Sequence, residues 1–231
     1  MALTKYYYFI IGAFVAIAAL SCNKNADLVD TTKTTSNLNV INAVTDIRAI
    51  DMYLNGTRQN TTSAIYLFNS SGYIAVPTSE QQYQFKSDTD RTLLADIKFT
   101  PAKKDSSYTM LLAGQQGKGN ITSIFINDYF PAAVTAKSMV RFVQASPGTA
   151  SYDVFVGDTL AFKNNAFKAS TTFQSVGPGK KTVKVTLAGS ATPIFTGTVI
   201  IQAGSYYTLY TEGSATGIGN SAFGVAINLS K

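Results

Sequence analysis

The chain contains no histidine. That removes the usual general base near neutral pH, the Ser-His-Asp and Cys-His arrangements, and the commonest zinc ligand. What remains for acid–base chemistry is a set of 13 carboxylates, of which only Glu80 and Glu212 are glutamates. Two aspartates, Asp51 and Asp153, recur at equivalent places in the chain. Each reads either as a calcium ligand or acid catalyst, or as a turn-capping carboxylate that accepts backbone N–H bonds where a strand begins; the capping role is the expected one. A carboxylate-dependent hydrolase would need two of Asp51, Glu80, Asp153 and Glu212 to converge within roughly 5 to 9.5 Å. Gly217-Ile218-Gly219-Asn220-Ser221-Ala222 fits the pattern G-x-G-x-x-A. In a dinucleotide site a helix must follow those glycines. Here Phe223, Val225, Ile227 and Leu229 alternate with small or polar residues as in a strand, so a Gly-rich hairpin loop is expected. No catalytic, cofactor-binding or metal-binding residue is assigned, and no enzymatic activity is expected.

Residues suited to binding are easier to find. The chain has 13 Tyr and 14 Phe but no Trp. Tyr206, Tyr207 and Tyr210 form a cluster in which alternation puts Tyr206 and Tyr210 on one face and Tyr207 on the other. Tyr206 and Tyr210 are therefore candidates for a ligand surface such as a sugar-stacking platform, although at least one face of that strand belongs to the core. Lys180 and Lys181, with Lys184, make a small basic patch, read as ligand surface or as lysines guarding a strand edge. A net charge of +6, spread along the chain and not blocked in runs, argues against nucleic-acid binding.

The elements that carry these residues begin with a distinctive N-terminus. Residues 1–21 hold one positive charge, Lys5, then an apolar run from Tyr6 to Leu20 that is short for a membrane span and has the form of an export signal. Ala19-Leu20-Ser21-Cys22 resembles the lipobox of bacterial lipoproteins. The resemblance implies diacylglycerol modification of Cys22, the only cysteine, and a membrane partner reached through a lipid anchor. Residues 22–37 are polar and aperiodic and read as a flexible tether. Asp158-Thr159-Leu160 and Asp30-Thr31-Thr32 resemble an O-glycosylation acceptor, which makes Thr159 and Thr31 candidate modification sites.

Beyond the tether the chain repeats itself. A shift of 102 residues carries Leu38–Thr57 onto Val140–Thr159, with Ala43 on Ala145 and Asp51 on Asp153, and Tyr108-Thr109-Met110 meets Tyr207-Thr208-Leu209 at 99. The expected domains are residues 38–130 and 139–231, joined by a short linker at 131–138, giving a semi-rigid rod of two modules. Short alternating runs such as Lys180–Leu187, bounded by Gly-Pro-Gly and Ala-Gly-Ser, predict seven or so strands per copy and an all-β fold of antiparallel sandwiches. Asn55-Gly56 predicts a tight hairpin.

The segments VRFVQASPGTASYDVFVGDT, VGPGKKTVKV and QAGSYYTLYTEG resemble the domain of unknown function 4397 family of secreted and lipid-anchored bacterial proteins. The features carried over are Val140–Val143, the Ala145-Ser146-Pro147 turn, Asp153 entering a strand, and Ala203-Gly204 before Tyr206-Tyr207-Thr208. In the first copy Thr45 replaces the proline and Pro77 stands where Gly177 stands. The resemblance implies two tandem immunoglobulin-like β-sandwiches and no activity. The resulting expectation is a non-enzymatic, lipid-anchored cell-envelope protein, structural or adhesive, with a glycan-binding accessory lipoprotein of an uptake system as the alternative. The expected location is the outer membrane, with the periplasmic and outward faces both open, and the expected partner an envelope protein or polysaccharide.

Overall fold

The computed structural model describes residues 35–231 apart from 102, 133 and 134. The export signal and residues 22–34, with Cys22 and Thr31, lie outside the described residues. The first repeat contains β1 (Thr35–Val44), β2 (Ala49–Leu54), β3 (Thr57–Arg58), β4 (Ile65–Tyr66), β5 (Ser70–Pro77), β6 (Gln81–Ser87), β7 (Leu93–Phe99), β8 (Ser107–Gly114) and β9 (Thr122–Asn127). The second contains β10 (Ser138–Val143), β11 (Tyr152–Val156), β12 (Thr159–Asn165), β13 (Gln174–Val176), β14 (Gly179–Leu187), β15 (Pro193–Ile201), β16 (Tyr206–Glu212) and β17 (Gly224–Leu229). Because β1 starts at Thr35, the last residues of the expected tether are already strand, paired with the end of β5.

Each repeat folds into two facing sheets with the same strand order. The first has β5-β1-β8-β9 against β3-β2-β6-β7, with β4 also on β2; the second has β13-β10-β16-β17 against β12-β11-β14-β15. These are the two tandem immunoglobulin-like sandwiches. Asn55 and Gly56 both take positive φ, 47° and 83°, the primed turn that a two-residue hairpin needs. One feature departs from a purely antiparallel plan: β1 pairs with β8, and β10 with β16, in parallel.

Those parallel pairs explain the larger departure from expectation. Among the described residues there are three hydrophobic clusters, two of which lie inside a sandwich. The third joins Ile41, Ala43, Leu111, Ala113, Ile124 and Ile126 of the first repeat to Val143, Ala145 and Tyr210 of the second. The sheets holding β1 and β10 therefore pack face to face, giving four layers in place of a rod of separate modules, and Thr35–Lys231 is one compact unit. Strands β1, β8, β10 and β16 are buried on both faces for most of their length. Apolar side chains accordingly occur at consecutive positions, as in Val40-Ile41, Met110-Leu111-Leu112 and Phe142-Val143, because both faces of these strands are covered.

At one end of this seam the contact turns polar. Arg141, 1 % exposed, meets Asp128 at 2.5 Å, and its Nε and Nη2 donate to Thr208 at 2.8 Å and Thr109 at 3.2 Å. Thr109 and Tyr73 both donate to the other oxygen of Asp128 at 2.7 Å, and burial beside that carboxylate pushes the Tyr73 phenol well above its usual range. The guanidinium also lies 5.0 Å from the Phe173 ring. Phe130, next to the linker, packs edge-on against Tyr206, whose hydroxyl donates to the Pro131 carbonyl.

Removing one member of a buried ion pair strands the other charge, at a cost of about 3–5 kcal/mol. Asp128→Ala is expected to lower the unfolding free energy by that amount, and Asp128→Leu combined with Arg141→Met by much less. Urea denaturation measures both, and the shared core predicts a single transition for the two repeats; two transitions in the parent protein would contradict it.

Candidate functional site

Asp51, on the outer face of β2, is fully buried under the β3–β4 connection. It accepts from Asn60 at 3.0 Å and pairs with Arg58 at 2.6 Å and with Arg91. Asp153, its counterpart, takes the Asn164 and Gly189 backbone N–H groups at 2.6 and 2.9 Å, the capping role expected of it. One copy holds its aspartate with arginines, the other with main chain. The two sit in the outermost sheets of a four-layer stack, roughly 30 Å apart at about 10 Å per layer. Glu80 follows β5 at the end where β1 begins, whereas Glu212 ends β16 at the opposite end. The four carboxylates thus do not come together. Among the described residues no group of three or more His, Cys, Asp or Glu is placed to hold a metal ion.

The tyrosine pair is corrected by the seam. Tyr206 and Tyr210 do share a face, but it is the face pressed against the first repeat, where they are 5 % and 0 % exposed. Tyr210 donates to the Phe68 carbonyl at 3.3 Å, and Tyr206 is held by Phe130 and Phe173. Neither offers a ring to a ligand. Strand β14 lies between β11 and β15, but its pairing with β11 ends at Val183, so Lys180 and Lys181 pair with β15 alone and stand where β14 has an open edge. Lys180 is exposed and Lys181 half-buried. Thr159 is exposed and borders a cleft of about 520 Å³ between β12 and β13, with Lys181 on its wall.

The glycine motif is a loop, as its sequence indicates, closed by a single 3₁₀ turn at Gly219–Ser221 before β17. A Cβ on Gly217 would fall 1.6 Å from the Ser221 carbonyl oxygen, so only glycine fits there. The loop bridges the repeats: Thr45 Oγ1 donates to Ser221 Oγ at 3.1 Å. Beside it opens a cleft of about 570 Å³ lined by Thr45, Asp46, Arg48, Tyr66, Phe68 and Asn220 among others. The Asp46 carboxylate is taken by the Gln116 and Gly117 N–H groups, 2.8 Å each. Arg48 pairs with Asp88 and lies 5.3 Å from the centre of the Tyr66 ring, which is 45 % exposed. Phe68 holds a left-handed backbone, φ 64°, between its bonds to Asn42 and Tyr210. Strained residues of this kind concentrate at functional sites. The arrangement offers a ring face, a guanidinium paired with Asp88, and amide and hydroxyl groups.

Of these cleft residues only Asn220, inside the glycine motif, and Thr45, in place of the proline, drew notice in the sequence, and neither as a binding residue. An arginine inside the apolar run Val140–Val143 was the available signal for the seam, because a charge in a strand covered on both faces requires a buried partner.

Glu212, at the end of β16, has its pKa raised to about 7 by burial, and its Oε2 has no hydrogen-bond partner. A carboxyl whose pKa rises on folding favours the native state below its unfolded value and loses that advantage as pH climbs through the folded one. Stability should therefore fall between about pH 4.5 and pH 7. Glu212→Gln should remove that slope and, discounted for partial exposure, add roughly 1–2 kcal/mol at pH 8. Urea midpoints at pH 5 and pH 8 for both proteins provide the check.

Compared with known proteins, the chain matches the family described as domain of unknown function (DUF4397) twice, over residues 36–148 and 138–225. No curated protein matches it.

Proposed function

We propose that this chain, which belongs to the DUF4397 family and carries its domain in tandem, is a non-enzymatic, lipid-anchored cell-envelope protein that acts as a structural or adhesive interaction module. The observation that carries the reading is where the chemistry-bearing side chains are spent. Asp51, Asp128, Asp153 and Arg141 all serve internal contacts, and Asp46 holds a loop. What is left for a partner is surface, with the cleft around Tyr66 as its most developed part. A rigid pair of sandwiches attached by one end suits display of such a surface, since loops on a fixed scaffold commonly carry binding. The Tyr66 ring, half-exposed beside Arg48 and Asn220, also favours the glycan-binding alternative, because planar sugar faces stack on such rings.

Cys22→Ala is expected to abolish acylation and membrane association, read by intact mass and by fractionation. Protease shaving of intact cells then separates an outward-facing protein, digested without lysis, from a periplasmic one. For the cleft, Tyr66→Ala should weaken capture of an envelope protein or polysaccharide at least about tenfold with little loss of stability. Affinity electrophoresis in polysaccharide gels distinguishes the glycan reading: retardation of the parent protein that disappears in the variant supports it. Unchanged capture in the variant would remove the cleft from the proposal.

A further inference from the structure

The end of the fold from which the chain leads back to Cys22 has a composition of its own. Thr35 opens β1 and lies beside Asp105, whose N–H donates to the Thr35 carbonyl, while Ser36 Oγ donates to the Lys103 carbonyl. In the second repeat the corresponding end carries Lys137, whose carbonyl accepts from Gly204, and Ser138, which donates to the Gln202 carbonyl. Lys180 and Lys181, facing Ile200 and Val199, begin β14 there, and Lys231 packs on the Phe130 and Tyr206 rings. The two ends are one surface, because Phe130, two residues after the Asp128 whose N–H donates to the Ser107 carbonyl at the start of β8, packs on Tyr206 at the start of β16. Lysines 103, 104, 137, 180, 181 and 231 thus collect at this end, with Lys98 opposite Gln82 and Lys184 beside Asp158, against Glu80, Asp105, Asp158 and the terminal carboxylate. At the opposite end Arg48, Arg91, Lys118, Lys163 and Lys168 are nearly balanced by Asp46, Asp88, Asp90 and Glu212.

The same end carries apolar surface. Among the described residues, the large hydrophobic side chains more than half exposed are Ile218, Tyr129, Ile200, Leu229 and Leu93. Tyr129, 80 % exposed, follows Asp128; Ile200, 71 %, stands opposite Lys180; Leu229, 58 %, pairs with Tyr207. All three lie at the lysine-rich end. Only twelve residues, 23–34, separate Cys22 from Thr35. Even fully extended they reach roughly 45 Å, and they attach at this end.

We infer that the Thr35 end is a membrane-docking face, whose lysines meet the phosphates of an anionic bilayer while Tyr129, Ile200 and Leu229 enter the headgroup layer. Basic residues close to such a surface each strengthen attachment, and a polybasic patch is the usual second signal beside an acyl anchor. The inference extends the reading of Cys22 as the anchored residue, and it holds the cleft around Tyr66 on the side away from the bilayer.

The test uses residues 23–231, which contain all three hydrophobic clusters and no acyl group, so it does not depend on lipidation. Co-sedimentation is measured with vesicles of phosphatidylglycerol plus phosphatidylcholine and with phosphatidylcholine alone. Binding to the anionic vesicles is expected to exceed that to the neutral ones at least about tenfold at low salt and to fall steeply as salt is added. Changing the exposed residues Lys103→Glu, Lys104→Glu, Lys137→Glu and Lys180→Glu together should lower it at least about tenfold. The control set Lys118→Glu, Lys163→Glu and Lys168→Glu, at the opposite end, should leave it within about twofold. Tyr129→Ser with Ile200→Ser should weaken it several-fold. Equal binding to the two vesicle types, or equal losses from both lysine sets, overturns the inference, as does undiminished binding after loss of Tyr129 and Ile200. Failure of the anchoring reading appears separately, as a missing acyl mass on Cys22 in protein extracted from cells.

Discussion

Everything in this molecule is arranged around one buried seam, the contact between the inner sheets of the two repeats. A sandwich normally leaves the outer faces of its sheets to water. Here one outer face of each repeat is lined by Ile41, Leu111 and Ile126 or by Val143 and Tyr210, and those faces close on each other. Burial on both sides of four strands leaves their backbone and side chains no solvent to turn to. Any polar group in the seam must therefore find a partner there, and the Arg141–Asp128 pair with its threonines is the result.

The pair also records how the two copies have diverged. Arg141 corresponds to Asn39 at the shift of 102 and Thr208 to Thr109 at 99, while Asp128 and Ser230 each follow the residue paired with the matched tyrosine, Asn127 opposite Tyr108 and Leu229 opposite Tyr207. Thr208 is 2.8 Å from Ser230, the place that Asp128 takes beside Thr109. A symmetric seam would have placed two like groups across from each other. Instead the cation comes from one copy and the carboxylate from the other, so the pairing is complementary between the repeats. Buried ion pairs add little net stability over well-packed apolar groups, but they penalise wrong registers heavily. Specificity of docking is the more direct explanation for keeping the pair here.

Fixing the repeats side by side gives the unit two different ends. One carries the start of β1, the lysines and three exposed apolar side chains; the other carries the glycine loop, the strained Phe68 and the cleft shared by both copies. In a flexible rod the cleft would not persist, since Asn220 from the second repeat completes a wall otherwise built by the first. The end proposed for recognition and the end proposed for membrane docking are thus joined by the same seam.

The sequence by itself determined the local structure. Alternation in Lys180–Leu187, the Asn55-Gly56 turn and the strand-like residues after the glycine motif depend on interactions a few residues apart, and they appear in the fold. The internal repeat likewise made two domains of one plan legible. Strand β12 escaped because Thr159–Asn165 alternates poorly, with one fully core-facing ring at Phe162. What only the tertiary structure decided was where each apolar face goes. A run such as Val140–Val143 is equally consistent with a strand covered on one side or on two. Tyr206 and Tyr210 share a face whether that face meets water or another sheet. Which of these holds depends on a partner surface about a hundred residues distant, and pairing over that separation is set by the summed burial of the whole seam, not by any local pattern.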